Sequence, residues 1–207
     1  RLYLGTGDGG FIDVTATHMP PDAADTVHIE PFDADGDGDV DLALAVEGGQ
    51  NRLYMNEGGG KYRDASDQMP EDKDHTNGVV VGDINGDGLP DIVFANVGRN
   101  LVYFNGRDGR AGFFSDGSDQ ALPPNKANNR CVAIGDVDGD GDLDLYFGSR
   151  TERNNLYLNT GQGKFVDPPA GTIPDEGSAN ETMMAKIVDV DKDGDNDIVC
   201  ASSLAFR

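Results

Sequence analysis

A nine-residue acidic pattern occurs four times in this chain at nearly constant spacing. The third copy reads DVDGDGDLD, with five aspartates and no lysine or arginine. The copies occupy residues 33–41, 83–91, 136–144 and 189–197, so their starts are 50, 53 and 53 residues apart. A period near fifty residues is typical of repeat architectures and indicates four structural units.

Each acidic pattern lies in the same order of short apolar and aromatic runs. In the third repeat, CVAIG precedes it and LYFGS comes after it, and then come NLYLN, a glycine turn and KFVD. These runs predict four strands per repeat, and no segment has a helical periodicity long enough to predict a helix. Strands that are apolar on both faces need a layer above and below them. We therefore predict an all-β fold, a β-propeller of four-stranded blades, with four repeats of about 52 residues in one domain, 1–207. The alternative, sixteen strands in two packed sheets, is disfavoured by the similarity of the units.

The two ends of the chain predict how the last blade is completed. The chain stops after the second strand of the fourth repeat and starts with a third-strand run, RLYLG. If Arg207 is written directly before Arg1, the joined ends align with the other repeats without a gap. The distance along the sequence from Asp197 through the join to Tyr3 is 13 residues, the same as from Asp41 to Tyr54. We expect the N-terminal strands to complete the last blade, with residues 2–4 paired to 198–203. Closure within one chain is favoured by its effective concentration. Closure between chains predicts head-to-tail self-association, with the chain as a subunit or repeat of a larger ring or filament.

The acidic loops have the pattern of calcium sites. Oxygen ligands at alternate positions of a tight loop point to one centre, and six to eight oxygens suit Ca²⁺ better than Mg²⁺. Glycine at position 6 of every copy permits the left-handed backbone that such a turn needs. We predict up to four Ca²⁺ ions, bound through positions 1, 3, 5, 7 (by its main-chain carbonyl) and 9. The predicted ligands are Asp33, Asp35, Asp37, Asp39 and Asp41; Asp83, Asn85, Asp87, Leu89 and Asp91; Asp136, Asp138, Asp140, Asp142 and Asp144; and Asp189, Asp191, Asp193, Asp195 and Asp197.

An EF-hand begins with the same pattern but differs at its later positions and in its flanking structure. It requires a bidentate glutamate at position 12 and a helix on each side. Position 12 is apolar in all four copies, as Leu44, Phe94, Phe147 and Cys200. The loop is therefore nine residues long and leads directly into a strand. We expect the second site to bind most weakly, since Asn85 replaces an aspartate there.

Two adjoining stretches, DVDGDGDLDLYFG and NNLYLNTGQGKFVD, resemble the FG-GAP/VCBS repeats of integrin-α-like β-propellers, and the resemblance covers essentially the whole chain. It implies a calcium-binding propeller, usually extracellular or secreted, that acts in adhesion or recognition, with ligands at positions 1, 3, 5, 7 and 9 of each loop. The family usually has seven blades, whereas four repeats are present here. Only Phe147 and Gly148 match the integrin-style FG pair, so the resemblance does not imply binding to integrin-type partners.

The composition excludes several classes of function. The formal net charge of −22 argues against nucleic acid or an anionic membrane as a partner. No apolar run is long enough to span a membrane. No motif of an enzyme active site is present, and we predict that the chain is not an enzyme. The leading interpretation is an extracellular scaffold for adhesion or structural assembly. The alternative is a lectin-like module that binds a glycan or protein ligand, although the linkers between repeats contain no aromatic residue.

Three further features leave alternatives open. Cys131 and Cys200 fall on strands of neighbouring repeats, which permits either a disulfide or two buried thiols. Asn180 begins an N-glycosylation sequon, Asn-Glu-Thr. The three histidines are not spaced as metal ligands, and we expect them on the surface or in linkers.

Overall fold

The computed structural model describes residues 1–124, 127–174 and 180–204. Within these ranges the regular secondary structure is almost entirely β-strand, which confirms the predicted all-β class. The helical segments described are the one-turn helices α1 (Thr15–His18) and α2 (Ser118–Ala121) and the 3-10 turns Ser66–Gln68 and Arg107–Gly109. The strands are β1 (Tyr3–Gly5), β2 (Phe11–Asp13), β3 (Thr26–Phe32), β4 (Asp41–Val46), β5 (Arg52–Asn56), β6 (Tyr62–Asp64), β7 (His75–Gly82), β8 (Asp91–Gly98), β9 (Leu101–Phe104), β10 (Ser115–Asp116), β11 (Ala127–Gly135), β12 (Asp144–Ser149), β13 (Asn155–Asn159), β14 (Phe165–Val166), β15 (Asn180–Val188) and β16 (Asp197–Leu204).

The strands form antiparallel units that keep the order of the chain. Three units are four-stranded, and we call them blade I (β3–β6), blade II (β7–β10) and blade III (β11–β14). Strands β1 and β2 form the N-terminal hairpin, and β15 and β16 form the C-terminal hairpin. Blades II and III are also joined where the start of β11 pairs with the end of β8, at Asn128 and Val97. Three of the four predicted repeats are therefore complete blades, and the arrangement is propeller-like.

The second strand of each complete blade is the most deeply buried. All six residues of β12 are buried, as are the first six of β8. Both faces are covered because each blade packs on its neighbours. Between blades I and II, Phe94 and Tyr103 meet edge to face with ring centroids 5.6 Å apart. The apolar runs on both sides of each acidic loop thus form the core between blades.

The first strands of successive blades approach closely at glycines. A Cβ added at Gly135 would lie 2.6 Å from Cγ2 of Ile187, and one added at Gly82 would lie 2.8 Å from Cδ1 of Ile134. Each isoleucine occupies a space that the preceding blade leaves open by having no side chain at that position. The same contact therefore recurs between successive blades, as the sequence pattern recurs between successive repeats.

The predicted closure of the last blade within this chain is wrong for this structure. Strand β1 pairs only with β2, and β16 pairs only with β15, among the described residues. The N-terminal hairpin packs instead before blade I, where Leu4 lies beside Gly60 in the turn between β5 and β6. It occupies the place of the outer half of a preceding blade, while the C-terminal hairpin forms the inner half of a later one. A gap-free alignment of two ends defines their register but not the curvature that would bring them together.

Candidate metal centre

The four acidic loops occupy one structural position. Each connects the first strand of a unit to the second, and position 9 is the first residue of that second strand. In blades II and III the loop therefore leads into the most deeply buried strand of the blade. This placement fixes both ends of each loop and confirms the predicted run from loop into strand.

The aspartate at position 1 organises the turn through its two carboxylate oxygens. In the third loop, Oδ1 of Asp136 accepts the Gly139 N–H at 2.8 Å and Oδ2 accepts the Gly141 N–H at 3.0 Å. The corresponding pairs recur in the other three loops at Asp33, Asp83 and Asp189. A carboxylate oxygen has further lone pairs, so these bonds leave it able to bind a cation.

The position 6 glycines have the left-handed backbone that the sequence predicts. Their φ angles lie between 87° and 102°, for Gly38, Gly88, Gly141 and Gly194. A Cβ at these residues would strain the turn that brings positions 1, 3 and 5 together.

The aspartates at positions 3 and 5 stabilise the loop locally and keep one carboxylate oxygen for other partners. Asp138 Oδ1 accepts the Asp140 N–H at 3.3 Å, and Asp140 Oδ1 accepts the Asp142 N–H at 2.9 Å. Side chain to backbone bonds of this kind are common for aspartate in tight turns. Position 7 lies near the glycine turn of the same blade, since Asp142 Oδ2 is 3.3 Å from where a Gly161 Cβ would be.

The aspartate at position 9 is buried and ties the loop to the third strand. Asp144 is fully buried; its Oδ2 accepts the Val137 N–H at 2.8 Å and its Oδ1 accepts the Asn159 N–H at 2.8 Å. Asp41 and Asp91 make the same pair of bonds in blades I and II. The sequence predicts a ligand at this position but does not reveal this structural role.

Burial changes the acidity of the position 9 carboxylates. Removal from water disfavours the charged form, so the pKa of Asp41 and the pKa of Asp144 are raised above the usual range of aspartate. For Asp91 burial raises the pKa to about 7, with the nearby carboxylates of Asp87 and Asp83 adding to the effect. A cation in the loop would favour the charged form and act in the opposite direction.

Three of the four loops bring carboxylates together. In each, one oxygen from each of three aspartates lies within 4.8 Å of the others. The groups are Asp33, Asp35 and Asp37; Asp136, Asp138 and Asp144; and Asp189, Asp191 and Asp197. None of the ion pairs among the described residues involves an aspartate of these loops. Converging carboxylates without a basic partner suit a hard cation such as Ca²⁺.

The second loop has the same frame with a different donor set. Asn85 stands at position 3, and its Nδ2 donates to Asp87 Oδ2 at 3.1 Å. The side chain of Leu89 at position 7 packs on the turn at Gly106. This loop has three carboxylates, and among the described residues it forms no cluster like those of the other three loops.

In blades II and III an asparagine at the end of the third strand connects its blade to the acidic loop of the preceding blade, a contact that the sequence did not reveal. Asn159 Nδ2 donates to the Ile84 carbonyl in the loop of blade II at 2.8 Å, and Asn105 Nδ2 donates to the Ala34 carbonyl in the loop of blade I at 2.9 Å. Their signal is present in the aromatic runs RLYMN, LVYFN and NLYLN, which all end in asparagine. Each of these asparagines therefore joins its own blade to the loop of the preceding blade.

The remaining candidates have simpler roles. Cys131 and Cys200 are thiols that are not joined by a disulfide, and burial raises the pKa of Cys131 to about 11. The side chain of Asn180 lies outside the described residues. His28 is half-buried rather than superficial, because its Nδ1 accepts the Val79 N–H of blade II at 3.0 Å. In the described part of the chain, no helix has the length and apolar character needed to cross a membrane.

Comparison with known proteins identifies the family of the repeat. The chain is 28% identical to Cartilage acidic protein 1 of Mus musculus over 172 residues, and 28% identical to that of Homo sapiens; each alignment covers 77% of this chain and about a quarter of the relative. Among solved structures, it resembles a chain of the Photorhabdus luminescens Tc holotoxin pore with a TM-score of 0.44 and 21% identity, over 96% of this chain and 9% of that one. The family model described as FG-GAP-like repeat matches residues 33–94, 83–147 and 136–200. Each match extends from one acidic loop into the strand that comes after the next acidic loop. The chain belongs to the FG-GAP-like repeat family.

Proposed function

We propose that the chain is a calcium-stabilised, extracellular β-propeller scaffold that serves in adhesion or structural assembly. One observation carries the proposal: three loops converge three carboxylates each, in register with the blades and without a basic partner. Calcium at these loops would neutralise charge that the protein otherwise leaves uncompensated. An ion bound there would also join the carboxylates of the loop to one another. In the complete blades one of these, the position 9 aspartate, already accepts a hydrogen bond from the end of the third strand.

An extracellular location fits the energetics of such sites. Loops of short carboxylate ligands in extracellular modules bind calcium at submillimolar to millimolar concentration, the range outside cells. The proposal assigns no catalytic step to the chain.

Thermal unfolding tests the role of calcium. Each site occupied at a hundredfold excess over its dissociation constant adds about 2.7 kcal/mol of stability by mass action. We expect the Tm to fall by more than about 10 °C in a chelator, and to recover with Ca²⁺ but poorly with Mg²⁺. The same melting curve with and without chelator would contradict the proposal.

A ligand-binding role of the lectin-like kind is the second candidate. A cavity of about 510 Å³ opens between blades II and III, with Arg99, Asn100 and Tyr157 among its lining residues and prolines on its wall. A glycan array on the calcium-loaded chain tests this role, with Arg99→Gln as the matched variant because glutamine stands at the equivalent position in blade I. Binding that this variant abolishes would favour the ligand-binding role, whereas a silent array favours the scaffold.

A further inference from the structure

The chain contains three asparagines that are followed directly by glycine, in the pairs Asn77-Gly78, Asn85-Gly86 and Asn105-Gly106. In such a pair the backbone nitrogen of the glycine can attack the side-chain amide carbon, Cγ, of the asparagine, because glycine has no Cβ to hinder the approach. Ammonia leaves, and the product is a succinimide ring that water opens to aspartate or isoaspartate. The reaction needs a backbone that is free to close the ring and open to water, so the fold decides which pair reacts.

Two of the pairs are held by buried contacts. Asn105 is 5% exposed, and its Nδ2 donates to the main-chain carbonyls of Ala34 and Pro90. Gly78 is buried on β7, where an added Cβ would lie 3.2 Å from Cα of Cys131. Closing the ring would break the bonds of the first pair, and it would move the main chain of the second against the neighbouring strand β11. We therefore expect both pairs to react slowly in the folded chain.

The third pair, Asn85-Gly86, lies in the open turn of the second acidic loop. Gly86 is exposed, with a φ of 75°, and an added Cβ there would have no described atom within 4 Å beyond its neighbours in the chain. Asn85 Oδ1 accepts the Asp87 N–H at 2.9 Å, so the side-chain amide is folded back along the chain in the direction of Gly86. Both reacting groups therefore belong to one tight turn, on a part of the loop that water reaches.

A carboxylate also acts on the attacking nitrogen of this pair. Asp83 Oδ1 accepts the Gly86 N–H at 2.9 Å. A hydrogen bond to a charged acceptor polarises the N–H bond and increases the electron density on nitrogen, which makes the nitrogen a better nucleophile. The Gly106 N–H, in contrast, donates to the neutral Oδ1 of Asn105 at 2.7 Å. The pair in the second loop thus has a charged acceptor where the buried pair has a neutral one.

We propose that Asn85-Gly86 is a self-modification site of this chain. The Gly86 nitrogen bonds to Cγ of Asn85, its proton passes through solvent to the departing amide nitrogen, and ammonia leaves. Water then adds to the ring, and opening at Cγ gives aspartate whereas opening at the main-chain carbonyl gives isoaspartate. Water is the only co-reactant, and no oxidant or reductant takes part.

The two products change the second loop in different ways. Aspartate at position 3 gives this loop the alternating carboxylates that the other three loops have. Isoaspartate carries the same charge but lengthens the main chain by one methylene, which moves position 5 relative to position 1. The reaction therefore adds charge to the loop that has the fewest carboxylates, and the added charge accumulates with the age of the chain.

A bound ion would slow the reaction. Asp83 and the side-chain oxygen of Asn85 would then be ligands, and the ion would hold both in place. This protection rests on the calcium function proposed above, whereas the reaction of the unoccupied loop does not.

Peptide mapping by mass spectrometry tests the reaction in the folded chain. After incubation in chelator at neutral pH, we expect Asn85 to be converted at least about tenfold faster than Asn77 or Asn105, which are internal controls in the same sample. The Asn85→Asp chain supplies the mass and retention time of the aspartate product, and a second product of equal mass but different retention is isoaspartate. Asn85→Ser has no amide at this position and should give neither product.

Two results of this experiment would overturn the proposal. Equal rates at the three pairs would show that the open turn gives no advantage. An Asn85 that persists while a synthetic peptide of residues 81–92 is converted would show that the folded loop protects the pair.

Incubation in Ca²⁺ separates this inference from the calcium proposal. At a Ca²⁺ concentration that saturates the stabilisation of the chain, we expect conversion of Asn85 to be at least about tenfold slower than in chelator, with little protection by Mg²⁺. Conversion that is equally fast in chelator and in Ca²⁺ would support the modification site and contradict calcium binding at the second loop.

Discussion

The second and third acidic loops share one backbone frame and differ in charge. In both, the position 1 aspartate accepts the N–H groups of positions 4 and 6, and the position 9 aspartate accepts those of position 2 and the third strand. They differ at position 3, where Asn85 replaces the carboxylate of Asp138, and at position 7, where Leu89 replaces Asp142. The loop conformation is therefore built by hydrogen bonds that both sequences make. Its affinity for a cation depends on positions that those bonds do not require.

The largest expected loss of stability comes from removing the position 1 aspartate, and comparing two loops separates the contribution of the hydrogen bonds from that of the bound ion. Asp136→Ala removes an acceptor of two backbone N–H groups, worth about 1 kcal/mol each, and a calcium ligand, worth about 2.7 kcal/mol at a hundredfold excess of ion. Asp83→Ala removes the corresponding two bonds from the loop of lower charge, and a third from the Asp87 N–H, which keeps Asn85 Oδ1 as an acceptor. In Ca²⁺ we expect a loss of roughly 4–5 kcal/mol for the first variant and a smaller loss for the second, measured by urea unfolding.

The same measurement in chelator is the control for that pair. Without the ion only the hydrogen bonds differ from the parent chain, so the two variants should lose nearly equal stability. A difference that persists in chelator would show that the loops differ in their frames and not in ion binding.

The second prediction concerns pH in the absence of calcium. The pKa of Asp91 is raised from its ordinary value of 3.8 to about 7, so between these values the folded state holds a proton that the unfolded state does not. Stability from this group therefore increases as pH falls from 7 towards 4, by roughly 2–4 kcal/mol. Asp91→Asn, which stays neutral throughout, should flatten the pH dependence of urea unfolding in chelator. The same slope of unfolding free energy against pH in the variant and the parent chain would contradict this effect of Asp91.

The third prediction tests the connection between neighbouring loops. Asn159→Ala removes a buried bond to the Ile84 carbonyl of the second loop and a half-buried bond to the Leu143 carbonyl of the third, and should cost about 2 kcal/mol. Asn56→Ala is the matched control, because among the described residues the Asn56 amide nitrogen donates only to the Val40 carbonyl of its own blade, at 3.3 Å. The loss of stability should be under about 1 kcal/mol. Equal losses in thermal unfolding would show that the bond between blades adds nothing.

The smallest expected effect comes from a substitution that restores charge to the second loop. Asn85→Asp supplies a fourth carboxylate, and we expect calcium affinity at the second loop to rise about tenfold, or about 1.4 kcal/mol. Isothermal titration would detect this change, with Asn85→Ser as the uncharged control. An affinity that does not change would show that ligand charge is not decisive at this loop.

Local features of the fold could be predicted from the sequence because each arises from a short, repeated signal. The loop bounds, the strands and the left-handed Gly141 are indicated by residue types at fixed spacing. The convergence of carboxylates in three of the loops could be predicted in the same way. The double role of Asp144 could not, because its second partner, Asn159, lies a whole strand pair away and contributes a backbone N–H that any residue has.

The arrangement of the ends could not be predicted for a different reason. The sequence around Tyr3 aligns without a gap with that around Tyr157, yet Tyr3 is exposed and Tyr157 is buried. Whether β1 meets β16 depends on the rotation between successive blades, which arises from packing such as that of Ile187 on Gly135. A repeat in sequence does not encode that angle in any single residue.

Anomalous scattering from crystals grown in Ca²⁺ tests most directly whether the acidic loops bind calcium as their charge predicts. We expect ion density at the first, third and fourth loops, strongest at residues 136–144, and the weakest density at residues 83–91. Density at the second loop equal to or above that of the third would contradict the role of ligand charge, and the absence of density from all four would contradict the calcium proposal itself.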